Sequence, residues 1–432
     1  MLSLNPQNPY SRWQVAEVQR MLSQRRVLVI AGPRQCGKTT MAREVAFKLG
    51  FSYQTLDDPT SLRAAINDPK GFIRHGDDLM IIDEVQRAPL LLQTIKLDVD
   101  ENQKPGRYLL TGSANIQSLP GVTESLAGRV SNLRLRPLAM GEIYGGSPHF
   151  LANAFEGKFM INKPFSIGES AFGGIDGFKQ WSKDRYLTEA FNGGFPEARQ
   201  LQTEVKQRHW HKDFINALIE RDLKDITKIR RKDSMVKLVE VMAAWSSKFM
   251  DIAAICSQLH LNRETIESYI NALETLFLIE KLRPWYKGDY DRMGKREKIF
   301  MVDSGLMAAL LRWQFDKVRF DSDLNGKLIE TFVFNQLMVH IDMGDGQYSL
   351  SHYRDGEQRE VDFIVERDDG AILAIEVKAG SLVDASSFKH INWFDDRIVP
   401  QQNLIGIVLY TGDHLLSFGQ NRWAVPINAL WA

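Results

Sequence analysis

The feature that most constrains this chain is a glycine-rich octapeptide that directly follows a short apolar run. Residues 26–31 read RVLVIA, a composition typical of a buried parallel strand. The octapeptide matches the pattern G-x-x-x-x-G-K-[ST] in full and consists of Gly32, Pro33, Arg34, Gln35, Cys36, Gly37, Lys38 and Thr39. Between a strand and a helix, such a turn directs its backbone N–H groups towards phosphates. The sequence therefore predicts that this turn, with Thr40 after it, binds ATP.

Four side chains are expected to carry the chemistry of that site. Lys38 would bridge the β- and γ-phosphates, and the Thr39 hydroxyl would bind Mg²⁺. A second apolar run, residues 79–82, ends in the carboxylates of Asp83 and Glu84. Asp83 at the strand end would hold the water shell of Mg²⁺, and Glu84 would polarise the attacking water. The adjacent acid indicates a hydrolase rather than a small-molecule kinase.

Residues 108–113 form a further predicted strand that ends in hydroxyl side chains. If it lies between the two earlier strands, Thr111 or Ser113 would lie near the γ-phosphate as a sensor, and the pattern does not choose between them. Arg129 is expected to end a helix before the next strand. It is either a residue of a monomer, at the surface or in contact with its own nucleotide, or an arginine finger that completes the ATP site of an adjacent subunit. The second interpretation predicts a homo-oligomer, a hexamer or similar.

The length of the chain and the alternation of its apolar and helical stretches predict several domains. At 432 residues it exceeds one ordinary hydrophobic core. Apolar runs alternate with helical stretches over residues 26–140, which predicts an α/β fold with a parallel sheet covered by helices on both faces. The predicted units are an ATPase domain (1–144), an insertion or long linker (145–182), a helical lid region (183–250), a winged-helix-like region (251–317) and a C-terminal α/β domain (318–432).

Composition limits the partners and the compartment. Lys and Arg together number 54, as do Asp and Glu, so only a local cluster can indicate a nucleic-acid partner. No apolar run approaches the roughly 18 residues that span a bilayer. The two cysteines, Cys36 and Cys256, provide no disulfide or zinc framework. Because the N-terminus also lacks the pattern of a secretory signal, we expect a cytoplasmic protein with no membrane partner.

The middle of the chain has the pattern of a winged helix-turn-helix. Its second helix, residues 265–276, presents mainly acidic side chains, which suit a phosphate-lined groove poorly. The segment 281–298 is better suited because aromatic residues alternate with basic ones, and a further basic stretch covers residues 224–232. The basic residues of 281–298 are Lys281, Arg283, Lys287, Arg292, Lys295, Arg296 and Lys298. They predict DNA as a partner, with solvated charge or a helix pair that only packs domains together as the alternatives.

The C-terminal region carries a D…E-x-K pattern that resembles the PD-(D/E)xK nuclease fold. Asp362 lies in one predicted strand, and Glu376 and Lys378 share a face at the end of the next. Asp362 and Glu376 would hold Mg²⁺ or Mn²⁺, and Lys378 would orient the attacking water. Glu330, on the helix before these strands, would complete the metal shell or position water, and Glu360 is a possible substitute acid. A fold of this kind kept only as a binding platform is the alternative.

Several motifs together resemble a prokaryotic AAA-type ATPase family whose members join such an ATPase to a C-terminal domain of unknown function. The matching segments are residues 32–40, 56–58, 82–86, 110–113, 125–129, 193–197 and 300–306. The resemblance spans nearly the whole chain except residues 145–180, and it implies ATPase activity in the cytoplasm. Our leading hypothesis is an ATPase that acts on DNA, by remodelling it or by gating a nuclease. The rival is a nucleotide-controlled switch that binds a protein partner.

Overall fold

The computed structural model describes residues 10–49, 52–76, 78–113, 129–157, 181–221, 232–287, 296–344, 346–400 and 402–431. Four predicted features lie wholly or largely outside these ranges. They are the helix expected before Arg129, most of the insertion 145–182, the basic stretch 224–232 and residues 288–295 of the second basic segment. Within the described ranges, no helix is long and apolar enough to cross a membrane.

The N-terminal unit is built on a parallel sheet of five strands in the order β2-β3-β4-β1-β5. The strands are β1 (Val27–Ala31), β2 (Ser52–Thr55), β3 (Met80–Asp83), β4 (Tyr108–Gly112) and β5 (Val130–Arg134). The helices are α1 (Gln14–Leu22), α2 (Lys38–Leu49), α3 (Pro59–Asn67), α4 (Pro69–Phe72) and α5 (Pro89–Glu101), with a 3₁₀ turn at Val85–Arg87. Strand β4 therefore lies between β1 and β3, as the sensor hypothesis requires.

Alternate residues of these strands face two separate hydrophobic cores. Val27 and Val29 pack towards α3 and α5 on one face, whereas Leu28 and Ile30 pack towards α1 and α2 on the other. A strand covered on both faces must be apolar at every position, which explains why β1 is buried along its whole length. This layered arrangement and the separate C-terminal sheet confirm the predicted α/β fold class.

The middle of the chain is mainly helical and ends in a small sheet. The helices are α6 (Met140–Tyr144), α7 (Phe150–Phe155), α8 (Lys183–Asn192), α9 (Pro196–Arg199), α10 (Glu204–Arg221), α11 (Lys232–Trp245), α12 (Ile252–Leu259) and α13 (Arg263–Thr275). The strands are β6 (Lys248–Phe249), β7 (Ile279–Leu282) and β8 (Lys298–Met301), with β8 in the centre and antiparallel to both neighbours. Two helices followed by an antiparallel strand pair agree with the predicted winged-helix pattern.

The C-terminal unit packs helices against a mixed sheet with the order β13-β14-β12-β11-β10-β9. Its helices are α14 (Ser304–Leu310), α15 (Phe315–Phe320), α16 (Ser322–Met343) and α17 (Lys389–Arg397), with 3₁₀ turns at Ala385–Phe388 and Ile427–Trp431. Its strands are β9 (Tyr348–Arg354), β10 (Glu360–Arg367), β11 (Ile372–Lys378), β12 (Leu404–Tyr410), β13 (Leu416–Ser417) and β14 (Arg422–Pro426). The edge strand β9 is covered by the middle of the chain, because the His352 N–H donates to the Arg283 carbonyl at 3.0 Å.

Two of the segments that carry the family resemblance, residues 193–197 and 300–306, pack closely against each other. Asp303 caps α14 through the Leu306 N–H at 2.7 Å and also accepts the Gly194 N–H at 2.6 Å. Gly193 has a φ of +67°, and a Cβ there would lie 2.3 Å from the Asp303 carboxylate. Gly193 is therefore required by the close approach of the end of α8 to Asp303, and Gly194 by the Leu138 carbonyl oxygen, which would lie 2.4 Å from a Cβ there.

Candidate nucleotide site and C-terminal acid cluster

The glycine-rich turn lies at the carboxyl ends of the parallel strands, between β1 and α2. A Cβ at Gly32 would lie 2.1 Å from the Leu135 carbonyl oxygen, and Gly37 has a φ of +103°. Both positions therefore need glycine, one for close backbone approach and the other for its backbone conformation. The side chain of Cys36 is fully buried and its Sγ donates to the Leu135 carbonyl at 3.4 Å, and the predicted contact of this residue with phosphate stays a prediction. Its thiol supports the turn from the core side.

The ammonium group of Lys38 is held inside the turn. Its Nζ donates to the carbonyl oxygens of Gly32 at 3.0 Å and Pro33 at 2.8 Å, and the residue is 4% exposed. Neutral carbonyls compensate a buried positive charge less well than a phosphate does. The arrangement therefore fits a site in which Lys38 exchanges these carbonyls for phosphate oxygens.

Asp83 lies at the end of β3 within a ring of hydroxyl groups. Its carboxylate accepts hydrogen bonds from Thr39 at 3.0 Å and Tyr53 at 2.8 Å, and a shorter one from Thr111. Burial first, and then the negative charge of Asp83, raise the pKa of Tyr53 to about 12, so its hydroxyl stays a donor. The Thr39 hydroxyl beside a buried carboxylate offers the hard oxygen ligands that Mg²⁺ prefers, so these residues fit a magnesium ion. Sequence analysis missed Tyr53, because β2 carries no recognisable motif.

Glu84 follows in a left-handed conformation, with φ 59° and ψ 43°. Its N–H donates to the Thr111 hydroxyl at 3.1 Å, and its carboxylate accepts from Ser113 at 3.4 Å and from Gln86 at a shorter distance. Burial raises the pKa of Glu84, and the Lys38 charge opposes that shift. Thr111 and Ser113 thus have different partners: Thr111 contacts the Asp83 carboxylate and the Glu84 backbone, and Ser113 contacts the Glu84 carboxylate.

The turn faces a cleft of about 630 Å³ whose opposite wall comes from α9 and α10. Trp210 of that wall stacks on Phe214, with ring centroids 5.4 Å apart. The cleft is lined by Tyr10, Arg34, Gln35, Gly37, Lys38, Thr39, Thr40, Glu84, Pro196, Glu197, Gln200, Trp210, Asp213, Phe214 and Ala217. Sequence analysis missed the aromatic pair, although its spacing of four residues places both rings on one helix face.

Arg129 lies at the amino ends of the parallel strands, opposite the ends that carry the glycine-rich turn. It directly precedes β5, in which Val130 pairs with Val27 at the beginning of β1. The turn follows Ala31 at the other end of that strand, so the length of β1 separates Arg129 from its own phosphate site. The guanidinium forms an ion pair with Asp100 at the end of α5. The role of Arg129 at the ATP site of an adjacent subunit stays a prediction.

The predicted C-terminal acids do converge, but a lysine from another unit lies among them. The Nζ of Lys298, in β8, lies 2.5 Å from Glu330, 2.7 Å from Glu360 and 3.5 Å from Asp362. Lys298 is only 2% exposed. Glu376 is contacted instead by Lys378, whose Nζ lies 3.4 Å away. The predicted acids and Lys378 therefore lie close together, and the Lys298 ammonium, which was not predicted there, lies among three of the acids.

This arrangement does not fit the predicted Mg²⁺ or Mn²⁺ site. One oxygen of Asp362 faces Lys298, and the other accepts the Val377 N–H at 2.9 Å. Burial raises the pKa of Glu376 well above its usual range, and the nearby Asp362 charge raises it further. Burial also raises the pKa of Glu330, to about 7, against the pull of Lys298. Within the described ranges, no group of three or more His, Cys, Asp or Glu residues is placed to hold a metal.

The basic segment 281–298 also differs from its prediction. Lys298 is buried in the acid cluster, and Lys281 is paired with Glu274 at 2.8 Å. Trp285 is 5% exposed and its indole N–H donates to Glu366 at 3.0 Å, so its ring is packed in the C-terminal core. Among the described cations of this segment, Arg283, Lys287 and Arg296 remain exposed. The sequence therefore predicted more exposed basic residues than the structure shows in the described part of this segment.

Three protein families match successive parts of the chain. Residues 24–144 match the family described as "AAA domain". Residues 183–317 and 325–430 match two families that are each described as a domain of unknown function, DUF8612 and DUF4143.

Relatives and solved structures extend the comparison. The uncharacterized proteins Rv2008c of Mycobacterium tuberculosis and Mb2031c of Mycobacterium bovis are each 25% identical over 419 residues, which cover 96% of this chain and 83% of theirs. The Walker-type ATPase PABY2304 of Pyrococcus abyssi aligns with a TM-score of 0.40 and 13% identity, over 71% of this chain and 97% of that one. The RuvB branch migration motor of Thermotoga maritima aligns with a TM-score of 0.28 and 15% identity, over 63% and 90%. The match of residues 24–144, together with the geometry around Lys38 and Asp83, supports an AAA-type P-loop ATPase fold for the N-terminal unit.

Proposed function

We propose that this chain hydrolyses ATP in the cleft between the glycine-rich turn and α10, and that it works as a nucleotide-controlled switch. The observation that carries the proposal is the grouping of Lys38, Asp83 and Glu84 at one edge of the sheet, around an open cleft. A phosphate binder, a metal-binding carboxylate and a second carboxylate for water are the parts that phosphoryl transfer to water requires.

Each residue has a distinct role in this proposal. Lys38 binds the phosphates and offsets part of their charge, and Thr39 with Asp83 would hold Mg²⁺, which would supply further positive charge at the phosphates. Glu84 accepts the proton of the attacking water, and Ser113 holds its carboxylate in place. Thr111 links the Asp83 carboxylate to the Glu84 backbone, so the metal ligand and the base are positioned by one hydroxyl.

Nucleotide binding would act on the rest of the chain through α10. Trp210 and Phe214 of this helix line the cleft opposite Lys38, so a nucleotide would contact both walls. The helix belongs to the middle of the chain and also packs with the C-terminal unit, since Phe214 and Leu218 belong to a hydrophobic core that both share. Phosphate release upon ATP addition with Mg²⁺ tests the proposal, with Lys38→Ala as the control. A wild type that releases no phosphate would contradict it.

We further propose that Arg129 completes the ATP site of a neighbouring subunit in a ring or spiral, for example a hexamer. Its own phosphates lie beyond the length of β1, and head-to-tail contacts are the kind that close into rings. Arg129→Ala and Lys38→Ala should each be inactive alone and recover part of the ATPase activity when mixed, since a mixed interface pairs an intact Lys38 with an intact Arg129. A mixture that stays inactive, or a wild type that remains monomeric with ATP, would refute action between subunits.

DNA binding is a second candidate function. The exposed side chains of Arg283 and Lys287 favour it. They lie where the middle of the chain meets β9. The double variant Arg283→Ala/Lys287→Ala should weaken DNA binding and reduce its salt dependence by about two counterions. Arg263→Ala on the acidic face of α13 is the control and should have little effect. If wild type binds neither single-stranded nor duplex DNA at low salt, the protein-partner alternative remains.

A further inference from the structure

The acid cluster of the C-terminal unit contains a cation that belongs to the chain itself. Lys298 comes from β8, whereas the acids come from α16, β10 and β11. Its Nζ is within 4 Å of Glu330, Glu360 and Asp362, at 2.5, 2.7 and 3.5 Å. With 2% of the residue exposed, the ammonium is compensated by carboxylates and hardly by water. The contacts therefore form one buried ion cluster between two units.

The ammonium performs the electrostatic task of a metal in a D…E-x-K arrangement. Several carboxylates buried close together repel one another unless a cation lies between them. A divalent ion would need oxygens of Asp362 and Glu376, but both Asp362 oxygens are already engaged, by Lys298 and by the Val377 N–H. An incoming metal would also be repelled by the Lys298 charge. The cluster thus already contains a cation, which offsets part of the negative charge of its carboxylates.

Lys298 is also held in place by the fold. Its strand β8 is the central strand of three, paired with β6 on one side and β7 on the other. Two residues along, Phe300 stacks on Phe334 of α16 with ring centroids 4.0 Å apart. The strand pairing and the aromatic contact fix the backbone position from which the Lys298 side chain reaches the acids. The lysine therefore belongs to the permanent structure.

We propose that Lys298 is the resident cation of the C-terminal D…E-x-K site, so that this site binds no Mg²⁺ or Mn²⁺ and cleaves no nucleic acid. The acids then serve to join the middle and C-terminal units. The proposal does not depend on the ATPase function, because the two sites share no residue.

The test is Mn²⁺ binding to the nucleotide-free full-length protein, followed by electron paramagnetic resonance. Lys298→Met keeps a side chain of similar length and removes the charge, so it should bind Mn²⁺ about tenfold or more tightly than wild type, because the freed carboxylates then need a cation. Adding Asp362→Asn to Lys298→Met should abolish the gain. A folded Lys298→Met protein that binds no more Mn²⁺ than wild type would overturn the proposal.

Two further measurements keep the test decisive. When Lys298 is retained, the single variants Asp362→Asn and Glu376→Gln should bind Mn²⁺ as the wild type does. A loss of binding in either variant would overturn the proposal even if Lys298→Met fails to fold. The double variant Lys298→Met/Glu330→Gln removes one charge of each sign and still leaves Asp362 and Glu376. It should also gain Mn²⁺ binding, and circular dichroism and unchanged ATP affinity check its fold. Absence of that gain in a folded double variant would likewise refute the proposal.

Discussion

Replacing Glu84 with glutamine is expected to leave ATP binding intact and to slow hydrolysis by about 10²–10⁴-fold. Glutamine keeps the size of the side chain, and its amide oxygen can still accept hydrogen bonds from Ser113 and Gln86. It cannot accept the proton of the attacking water. Because Lys38, Thr39 and Asp83 are unchanged, the loss should appear in kcat while the affinity for ATP stays near that of wild type. Equilibrium binding of ATP and single-turnover phosphate release measure the two quantities separately.

Two control variants sharpen this prediction. Glu197→Gln neutralises another carboxylate of the same cleft, on the wall opposite the glycine-rich turn, and should hydrolyse ATP at nearly the wild-type rate. Lys38→Ala should lose ATP binding itself, since its ammonium is the charge closest to the phosphates, and the fold should survive. A Glu84→Gln protein that turned over ATP like wild type would show that another group activates the water.

Replacing Arg136 with alanine is expected to destabilise the protein by about 3–5 kcal/mol, because it leaves the buried Asp342 carboxylate without its partner and Glu280 with Arg134 alone. The Arg136 side chain is 3% exposed and forms ion pairs with Glu280 of β7, at 2.5 Å, and with Asp342 of α16. It lies two residues after the end of β5, so it links the ATPase sheet to both later units. Urea denaturation of the full chain measures the change in the free energy of unfolding. Arg319→Ala, which removes an exposed ion pair with Asp184, is the control and should cost less than about 1 kcal/mol.

The same network has a predictable dependence on pH. Burial alone would raise the pKa of Glu280, but Arg134 and Arg136 lower it from 4.5 to about 2. A carboxyl whose pKa is lowered in the folded state stabilises the protein above its unfolded pKa. The contribution of Glu280 is therefore present above about pH 4.5 and is lost as the pH falls towards 2. The difference in stability between wild type and Arg136→Ala should shrink over that interval, and a constant difference would contradict this account.

The nucleotide-binding turn could be predicted from the sequence because its determinants are local. A buried strand, two glycines with fixed spacing and a following helix occupy consecutive residues, and each requirement is a property of the backbone itself. The apolar run before Asp83 is likewise a local pattern, since a parallel strand covered on both faces must be apolar throughout. The α/β fold class followed from the same kind of pattern.

The partners of these residues could not be predicted in the same way. Tyr53 binds Asp83 across 30 positions of sequence, and only the parallel pairing of β2 with β3 brings them together. Thr111 and Ser113 differ by two residues, yet their hydroxyls contact different carboxylates. Trp210 faces the glycine-rich turn because α10 packs across the cleft. Such contacts depend on how elements pack, which no short pattern encodes.

Lys298 is the clearest case in which tertiary structure reversed an expectation. In the sequence it ends a basic segment interleaved with aromatic residues, which is typical of a nucleic-acid surface. In the structure it lies 2.7 Å from Glu360, a residue 62 positions away, and is buried. The chain by itself determined the ATPase turn, the strand ends that carry Asp83 and Glu84, and the convergence of the D…E-x-K acids, since periodicity and backbone geometry act over a few residues. Only the tertiary structure decided which cation neutralises those acids, because the effect of a charge depends on what the fold places opposite it.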